Sequence, residues 1–210
     1  MRLIIQNSYE QISKWAAAFI VKRIREFDPT PNKPFILGLP TGSTPYGTYK
    51  ELIRLYREGK VSFRNVVTFN MDEYIGLRND HPASFGYFLS DRLFNHVHPG
   101  EVNLIDGIND PAKECERFSG LLTEKTIDIV LLGLGANGHV AFNEPLTADF
   151  NDPAVVKTIV LDEISRQQQV DENCFNDLDQ VPKKAITITI PTIMSASCLY
   201  CMTPGANKQN

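Results

Sequence analysis

One stretch of the chain, an apolar run that ends in a glycine-rich polar turn, constrains the fold more than any other. The run Ile127–Leu134 has the length of a strand, and its composition is typical of a strand buried on both faces of a parallel sheet. Glycines in the turn allow positive φ angles and a close approach of backbone to a ligand. The turn also contains the polar residues Asn137, His139, Asn143 and Glu144. Open α/β sheets bind ligands at such strand ends, although a purely structural turn would have the same pattern.

A second predicted strand, Phe35–Leu39, ends in a loop rich in hydroxyl groups. The loop sequence is P-T-G-S-T-P, and Thr44 followed by Pro45 predicts a helix N-cap with proline at the first helical position. Backbone N–H groups at a helix N-terminus suit an anion such as phosphate. The candidate phosphate-binding residues are Thr41, Gly42, Ser43 and Thr44. An ordinary capped loop fits the same residues.

A third predicted strand, Val66–Met71, is followed directly by Asp72. The carboxyl ends of parallel strands meet at one edge of a sheet, so we expect Asp72, the hydroxyl-rich loop and the His139 turn to converge. A carboxylate, an imidazole and an anion-binding loop together predict a site for a sugar phosphate or a similar ligand.

Along the whole chain, predicted strands alternate with predicted helices. Further strands are predicted at Met1–Ile5, Val102–Ile105, Val155–Leu161, Ala185–Ile190 and Cys198–Thr203, the last two side by side. Helices are predicted after Ser8, from Pro45, over Pro82–Asn95, after Asp110 and over Glu163–Glu172, and a surface loop over Leu146–Pro153. This alternation predicts a doubly wound α/β fold.

Length and composition set the remaining bounds. A chain of 210 residues with 42% hydrophobic residues suits one globular domain, residues 1–210. The net charge of −4 gives no basic surface for nucleic acid, and no apolar run is long enough to span a bilayer. Charged residues interrupt the first 25 residues, which excludes a signal peptide, so a cytoplasmic location is expected.

Two pairs of residues have spacings found in metal sites. Cys198 and Cys201 are three apart in a predicted strand, where such positions face opposite sides, so we predict packing roles. His96 and His98 follow a helical stretch at a Pro-Gly turn, and the pattern is too short to predict a ligand pair.

Three motifs in the right order carry a resemblance to a known family. L-G-L-P-T-G-S-T-P, V-T-F-N-M-D-E-Y and G-A-N-G-H-V-A-F-N-E-P resemble the glucosamine-6-phosphate deaminase family, also called glucosamine-6-phosphate isomerase. The resemblance implies a Rossmann-like three-layer α/β/α sandwich with a mostly parallel sheet. It also implies a step of amino-sugar catabolism, in which glucosamine 6-phosphate and water give fructose 6-phosphate and ammonia without a cofactor.

The resemblance implies roles for the residues at the strand ends. Asp72 matches the base that moves a proton from C2 to C1, and His139 matches the acid–base that opens the sugar ring, supported by Glu144. Many members have aspartate where Asn137 stands. An asparagine can still orient the imidazole through its carbonyl oxygen, but it adds no negative charge.

For the phosphate, the resemblance implies the loop Thr41–Thr44 together with two cations. Arg166 is the best counterpart of the family's arginine, and Lys208 matches its lysine. The chain ends two residues after Lys208, so we expect the sheet to be truncated at its C-terminal edge.

Alternatives remain open at this point. The chain could be a galactosamine-6-phosphate isomerase, a hydrolase like 6-phosphogluconolactonase, or a sugar-phosphate-binding regulator without turnover. A C2 base at Asp72 is of no use to the lactonase or to the regulator. Family members differ in oligomeric state, and a homo-oligomer is compatible with the sequence.

Overall fold

The computed structural model describes residues 2–135, 137–171 and 173–205. The strands are β1 (Phe35–Leu39), β2 (Val66–Asn70), β3 (Asp72–Tyr74), β4 (Glu101–Asn103), β5 (Ile129–Gly133), β6 (Val156–Val160), β7 (Lys184–Ile188) and β8 (Leu199–Met202). The α-helices are α1 (Tyr9–Phe27), α2 (Ser43–Arg57), α3 (Phe85–Leu89), α4 (Asn95–Val97), α5 (Pro111–Thr123), α6 (Glu163–Asp171) and α7 (Ile190–Met194). A π-helical turn, Ser90–Phe94, joins α3 to α4, and a 3₁₀ turn, Leu178–Gln180, precedes β7.

The main sheet has five strands in the order β4-β2-β1-β5-β8, and all of its pairings are parallel. Every residue of β1 and β2 is buried, as expected for strands covered on both faces. On one face, α1 and α2 pack together over residues such as Leu37 and Leu131. On the other face, Phe118 of α5 and Ile193 of α7 pack over Val130. The predicted α/β fold with a mostly parallel sheet is confirmed.

A second, antiparallel sheet has three strands in the order β3-β7-β6. The chain leaves the main sheet at Met71, and Asp72–Tyr74 pairs with Ala185–Thr187 of β7. The prediction of Ala185–Ile190 as a central strand beside Cys198–Thr203 is therefore wrong. β8 instead extends the main sheet next to β5. Apolar runs identify strands but not partners, because pairing is decided by contacts far apart in sequence.

The predicted first strand is also wrong for the residues that the structure describes. Residues 2–6 form neither helix nor strand, and Leu3 and Ile5 are about 80% exposed. A strand needs a neighbour for its backbone groups, and the main sheet has β4 and β8 at its edges. Helix α1 begins as predicted, since the Ser8 hydroxyl accepts a hydrogen bond from the Gln11 N–H at 3.2 Å.

The other predicted helices and the surface loop agree closely with the structure. Asp110 caps α5 by accepting from the Lys113 N–H, and a proline occupies the first turn. Residues 145–151 are exposed, including Leu146 and Phe150. Within the described ranges, no helix combines the length and apolar character needed to cross a membrane.

Candidate active site

The three predicted strand ends line one cavity of about 770 Å³ at the carboxyl edge of the main sheet. β1 leads into Pro40–Thr44, β2 leads through Met71 to Asp72, and β5 leads through Gly133 to the turn with His139. Parallel pairing of β1 with both β2 and β5 brings these ends together. The expected convergence is present in the structure.

The hydroxyl-rich loop presents an uncapped helix N-terminus to this cavity. Gly42, with φ of 90°, is the residue that precedes α2, and the helix begins at Ser43. Thr44 is therefore inside the helix, and its predicted N-cap role is wrong, because the left-handed turn at Gly42 starts the helix earlier. Among the described residues, no side chain caps this end, so the first N–H groups remain available to an anion.

Tyr9, which lies in α1, fixes the first turn of α2. Its hydroxyl accepts from the Gly47 N–H at 2.7 Å and lies 2.9 Å from the Ser43 carbonyl oxygen, to which it donates. Gly47 allows the close approach of the two helices, since a Cβ there would lie 2.3 Å from the Ser13 hydroxyl. The position of the helix N-terminus is thus set by packing between α1 and α2.

Asp72 lines the cavity from the first position of β3 and is only 7% exposed. Burial disfavours its carboxylate and the negative charge of the adjacent Glu73 adds to this, raising the pKa of Asp72 to about 8. No donor in the described part of the chain hydrogen-bonds its carboxylate. Asp72 is therefore more basic than an exposed carboxylate and is available to contact a ligand.

Glu73 has the opposite orientation and holds the wall of the cavity. Its fully buried carboxylate accepts from the Ser84 hydroxyl at 2.7 Å and from the Gly86 N–H at 2.9 Å. It also accepts from the Phe85 N–H, at the start of α3. Burial raises the pKa of Glu73, although these donors oppose the effect. The two adjacent carboxyl groups therefore differ. The Glu73 carboxylate is hydrogen-bonded to the start of α3, and the Asp72 carboxylate faces the cavity.

His139 is held from behind by Asn137. The Asn137 Oδ1 atom lies 2.7 Å from His139 Nδ1 and accepts from the His139 N–H at 3.1 Å. This is the contact predicted from the asparagine's carbonyl oxygen. Gly135 packs against the ring, where a Cβ would lie 2.3 Å from both Nε2 and Cε1. The imidazole therefore has little room to turn.

Glu144 lies behind His139 and does not line the cavity. Its Oε2 atom accepts from Asn137 Nδ2 at 2.6 Å and lies 3.6 Å from His139 Nδ1. Burial would raise the pKa of Glu144, but hydrogen bonds with His139, Ser165 and Asn137 outweigh it and hold the pKa at about 2. Glu144 is therefore a permanent negative charge beside the imidazole.

Of the two predicted phosphate cations, the structure describes only Arg166. Arg166 donates to the carbonyl oxygens of Leu178 and Val181 and does not line the cavity. In this geometry the Arg166 guanidinium stabilises the segment before β7. The structure therefore gives no support to its predicted contact with phosphate. Lys208 lies outside the described residues.

Sequence analysis missed several residues that line the cavity, namely Tyr9, Arg92, Gln168, Gln169 and Asn173. Arg92 is the one Lys or Arg among the described lining residues. Its guanidinium stacks over the Tyr46 ring, 5.0 Å from the centroid, and donates to the Tyr46 hydroxyl at 3.3 Å. A signal was present, since Phe88 and Arg92 are four residues apart on a predicted helix and therefore share a face.

The residues with metal-like spacing are placed elsewhere. Cys198 and Cys201 are free thiols, and Cys198 packs against the hydrophobic core as predicted, whereas Cys201 is exposed, so its predicted packing role is wrong. The His96 ring nitrogen lies 3.1 Å from the Asp91 carbonyl oxygen. In the ranges that the structure describes, no group of three or more His, Cys, Asp or Glu side chains could hold a metal ion.

Known proteins with the same sequence motifs and the same fold can be identified. A glucosamine-6-phosphate deaminase of Treponema denticola is 47% identical over 212 residues, which cover 99% of this chain and 77% of that protein. A Vibrio cholerae protein of the same name is 44% identical, covering 99% and 78%. The solved structure of a monomeric glucosamine-6-phosphate deaminase superposes with a TM-score of 0.86 at 37% identity, covering 96% of this chain and 81% of the other.

Lactonases share the architecture at lower identity. The 6-phosphogluconolactonase of Trypanosoma brucei superposes with a TM-score of 0.75 at 21% identity, covering 98% of this chain and 82% of that one. This likeness is one of fold alone. Residues 7–210 match the family described as glucosamine-6-phosphate isomerases/6-phosphogluconolactonase. The chain belongs to this family.

Proposed function

We propose that residues 1–210 form a single catalytic domain that converts glucosamine 6-phosphate and water into fructose 6-phosphate and ammonia. One observation carries the proposal. Asp72 and His139, the two groups that the reaction needs as base and as ring-opening acid–base, line the same cavity beside the uncapped N-terminus of α2. Two of the relatives above 40% identity, those of Treponema denticola and Vibrio cholerae, are named for this activity.

The phosphate of the substrate binds at the loop Thr41–Thr44. The free N–H groups of the first turn of α2 and the neighbouring hydroxyls suit three anionic oxygens. Arg92 supplies the positive charge, because Tyr46, near the start of α2, holds its guanidinium next to the same helix. Its ion pair with Asp91, at 3.2 Å, is about half exposed and therefore weak. A contribution from Lys208 remains a prediction.

His139 opens the sugar ring by taking the proton of the C1 hydroxyl and returning a proton to the ring oxygen. Its Nδ1 atom faces the Asn137 oxygen, so Nε2 is the nitrogen that exchanges protons with the substrate. Glu144, ionised throughout the neutral range, stabilises the imidazolium that forms in between.

Asp72 then moves a proton from C2 to C1 of the open chain. The protonated amino group on C2 stabilises the carboxylate when substrate binds, which offsets the burial that raises the pKa of Asp72. Transfer of one proton from the ammonium group to O1 completes this step, which leaves an iminium at C2 and a hydroxyl at C1. Water then adds to C2 and ammonia leaves, giving the ketose phosphate. A buried carboxylate without competing donors suits this step, because the base must be positioned and partly desolvated.

A panel of substrates tests the proposal. Purified protein is incubated separately with glucosamine 6-phosphate, galactosamine 6-phosphate and 6-phosphogluconolactone, and ammonia, ketose phosphate and acid release are measured. We expect ammonia and fructose 6-phosphate from the first at the highest kcat/KM. Faster hydrolysis of the lactone, or binding of all three without turnover, would contradict the assignment.

A further inference from the structure

We propose that Asp162 is a positioning residue that fixes the orientation of the Asn137 amide and, through it, the tautomer of His139. Asp162 follows β6 and directly precedes α6. It lies outside the cavity lining and belongs to none of the motifs that carry the family resemblance. The expected effect on catalysis rests on the proposed role of His139, whereas the expected effect on its tautomer does not depend on that role.

The partners of the Asn137 amide fix its orientation. Its Nδ2 atom lies 2.6 Å from Glu144 Oε2 and 2.9 Å from Asp162 Oδ2. An amide nitrogen carries two hydrogens and ionised carboxylates can only accept, so both hydrogens are used. The Oδ1 atom is then directed at His139 Nδ1, at 2.7 Å.

Two carboxylates make this orientation the only stable one. Rotating the amide by half a turn would place its carbonyl oxygen against the carboxylates of Glu144 and Asp162. The three oxygens would repel one another, and the amide would no longer donate to either carboxylate. With an aspartate at position 137 no such choice of orientation exists, because its two oxygens are equivalent. The asparagine of this chain therefore needs a second acceptor, and Asp162 provides it.

The orientation of the amide determines which imidazole nitrogen carries the proton. An oxygen at 2.7 Å requires a hydrogen on Nδ1, which leaves the lone pair on Nε2. A flipped amide would offer hydrogens instead and would favour the opposite tautomer, with Nε2 protonated and unable to act as a base. Ser165 Oγ, 3.1 Å from His139 Nδ1 and 3.4 Å from Asn137 Nδ2, closes the group.

Asp162 is itself rigidly held. Its Oδ1 atom accepts from the Ser165 N–H at 2.6 Å, and its carbonyl oxygen accepts from the Arg166 N–H at 3.1 Å. It therefore caps the first turn of α6 with one carboxylate oxygen and holds Asn137 with the other. This division allows the two roles to be separated by substitution.

Two variants and a control make the test. Asp162→Asn keeps one oxygen that can cap α6 but replaces the oxygen that faces Asn137 with an NH₂ group, which donates. Asp162→Ser also caps helices well but is too short to reach Asn137, and it serves if the first variant does not fold. Glu163→Gln is the control, because it also removes one negative charge, at an exposed neighbouring position, and leaves the side chains around Asn137 unchanged.

The decisive readout is nitrogen NMR of protein labelled at histidine, with His139 assigned by its loss in His139→Gln. We expect wild type and Glu163→Gln to show neutral His139 protonated on Nδ1, and the Asp162 variants to show a substantial population protonated on Nε2. We also expect kcat for glucosamine 6-phosphate to fall at least about tenfold with KM within about twofold, since only proton transfer is affected.

Each outcome decides the proposal. Folded Asp162 variants with unchanged His139 nitrogen shifts would overturn it, whatever their activity. A changed tautomer with unchanged kcat would refute the catalytic consequence. If wild type does not turn over glucosamine 6-phosphate, the proposed function fails, and the NMR comparison still decides the role of Asp162.

Discussion

Replacing Asp72 by asparagine should abolish turnover and, at the same time, stabilise the protein at alkaline pH. The substitution keeps the shape of the side chain and removes a carboxylate that is nearly fully buried. Loss of a general base typically costs about 10²–10⁴ in kcat. Binding of the sugar phosphate should fall much less than turnover, because the proposed phosphate contacts at the α2 loop and Arg92 are kept and only the contact of Asp72 with the substrate amino group is lost.

The stability change follows from the raised pKa of Asp72. A group whose pKa is higher in the folded state contributes no penalty below its unfolded pKa, and its penalty grows as pH rises toward the folded pKa. A shift from 3.8 to about 8 sets a ceiling of roughly 5–6 kcal/mol above pH 8. Because Asp72 lines a cavity open to solvent, which lowers the cost of its charge, we expect about 2 kcal/mol, or roughly 4–8 °C in Tm.

The assay is thermal unfolding of wild type and Asp72→Asn from pH 4 to pH 8.5, combined with kcat and ligand affinity at pH 7.5. The variant should gain stability relative to wild type as pH rises, while a control at the exposed Asp179, Asp179→Asn, should not. Equal Tm differences at both ends of the range would refute the buried carboxylate. Turnover within threefold of wild type would refute Asp72 as the base.

Three further substitutions test the rest of the site. Gly135→Ala should lower kcat at least about tenfold, because a Cβ would collide with the His139 ring, whereas Gly120→Ala, which meets no atom within 4 Å, should not; normal kcat with an undisturbed fold would contradict the packing. Arg92→Gln should raise KM about tenfold with kcat largely retained, against Arg64→Gln as the exposed control, and an unchanged KM would exclude Arg92 from the phosphate site. Glu144→Gln should lower kcat and destabilise the protein at neutral pH. The ionised Glu144 stabilises wild type above its unfolded pKa of about 4.3, and this stability is lost as pH falls to about 2. Identical acid-unfolding curves for variant and wild type would count against an ionised Glu144.

Much of the fold was predictable because its signals are local. The apolar runs of β1, β2 and β5 and the capped start of α5 identified their elements directly. The second sheet was not predictable, because β3 has only three residues and depends on β7, more than 100 positions away, for its partner. No local pattern contains such a pairing.

The candidate site shows the same division. Asp72, His139 and the α2 loop follow strands of one parallel sheet, so topology alone predicted their convergence. Arg166 was misplaced because α6 has few apolar residues and hence no stripe that shows which side faces the protein. Gln168 and Gln169 line the cavity in its place. Asp162 escaped notice because its partner Asn137 lies on another loop, 25 residues away.

We propose that one cavity couples isomerisation to loss of the amino group, with Asp72 as the base. The most direct measurement is the ratio of ammonia to fructose 6-phosphate released from glucosamine 6-phosphate by wild type and by Asp72→Asn. We predict equal amounts of the two products from wild type and neither from the variant. Ammonia without the ketose phosphate, or neither product from folded wild type, would contradict the account.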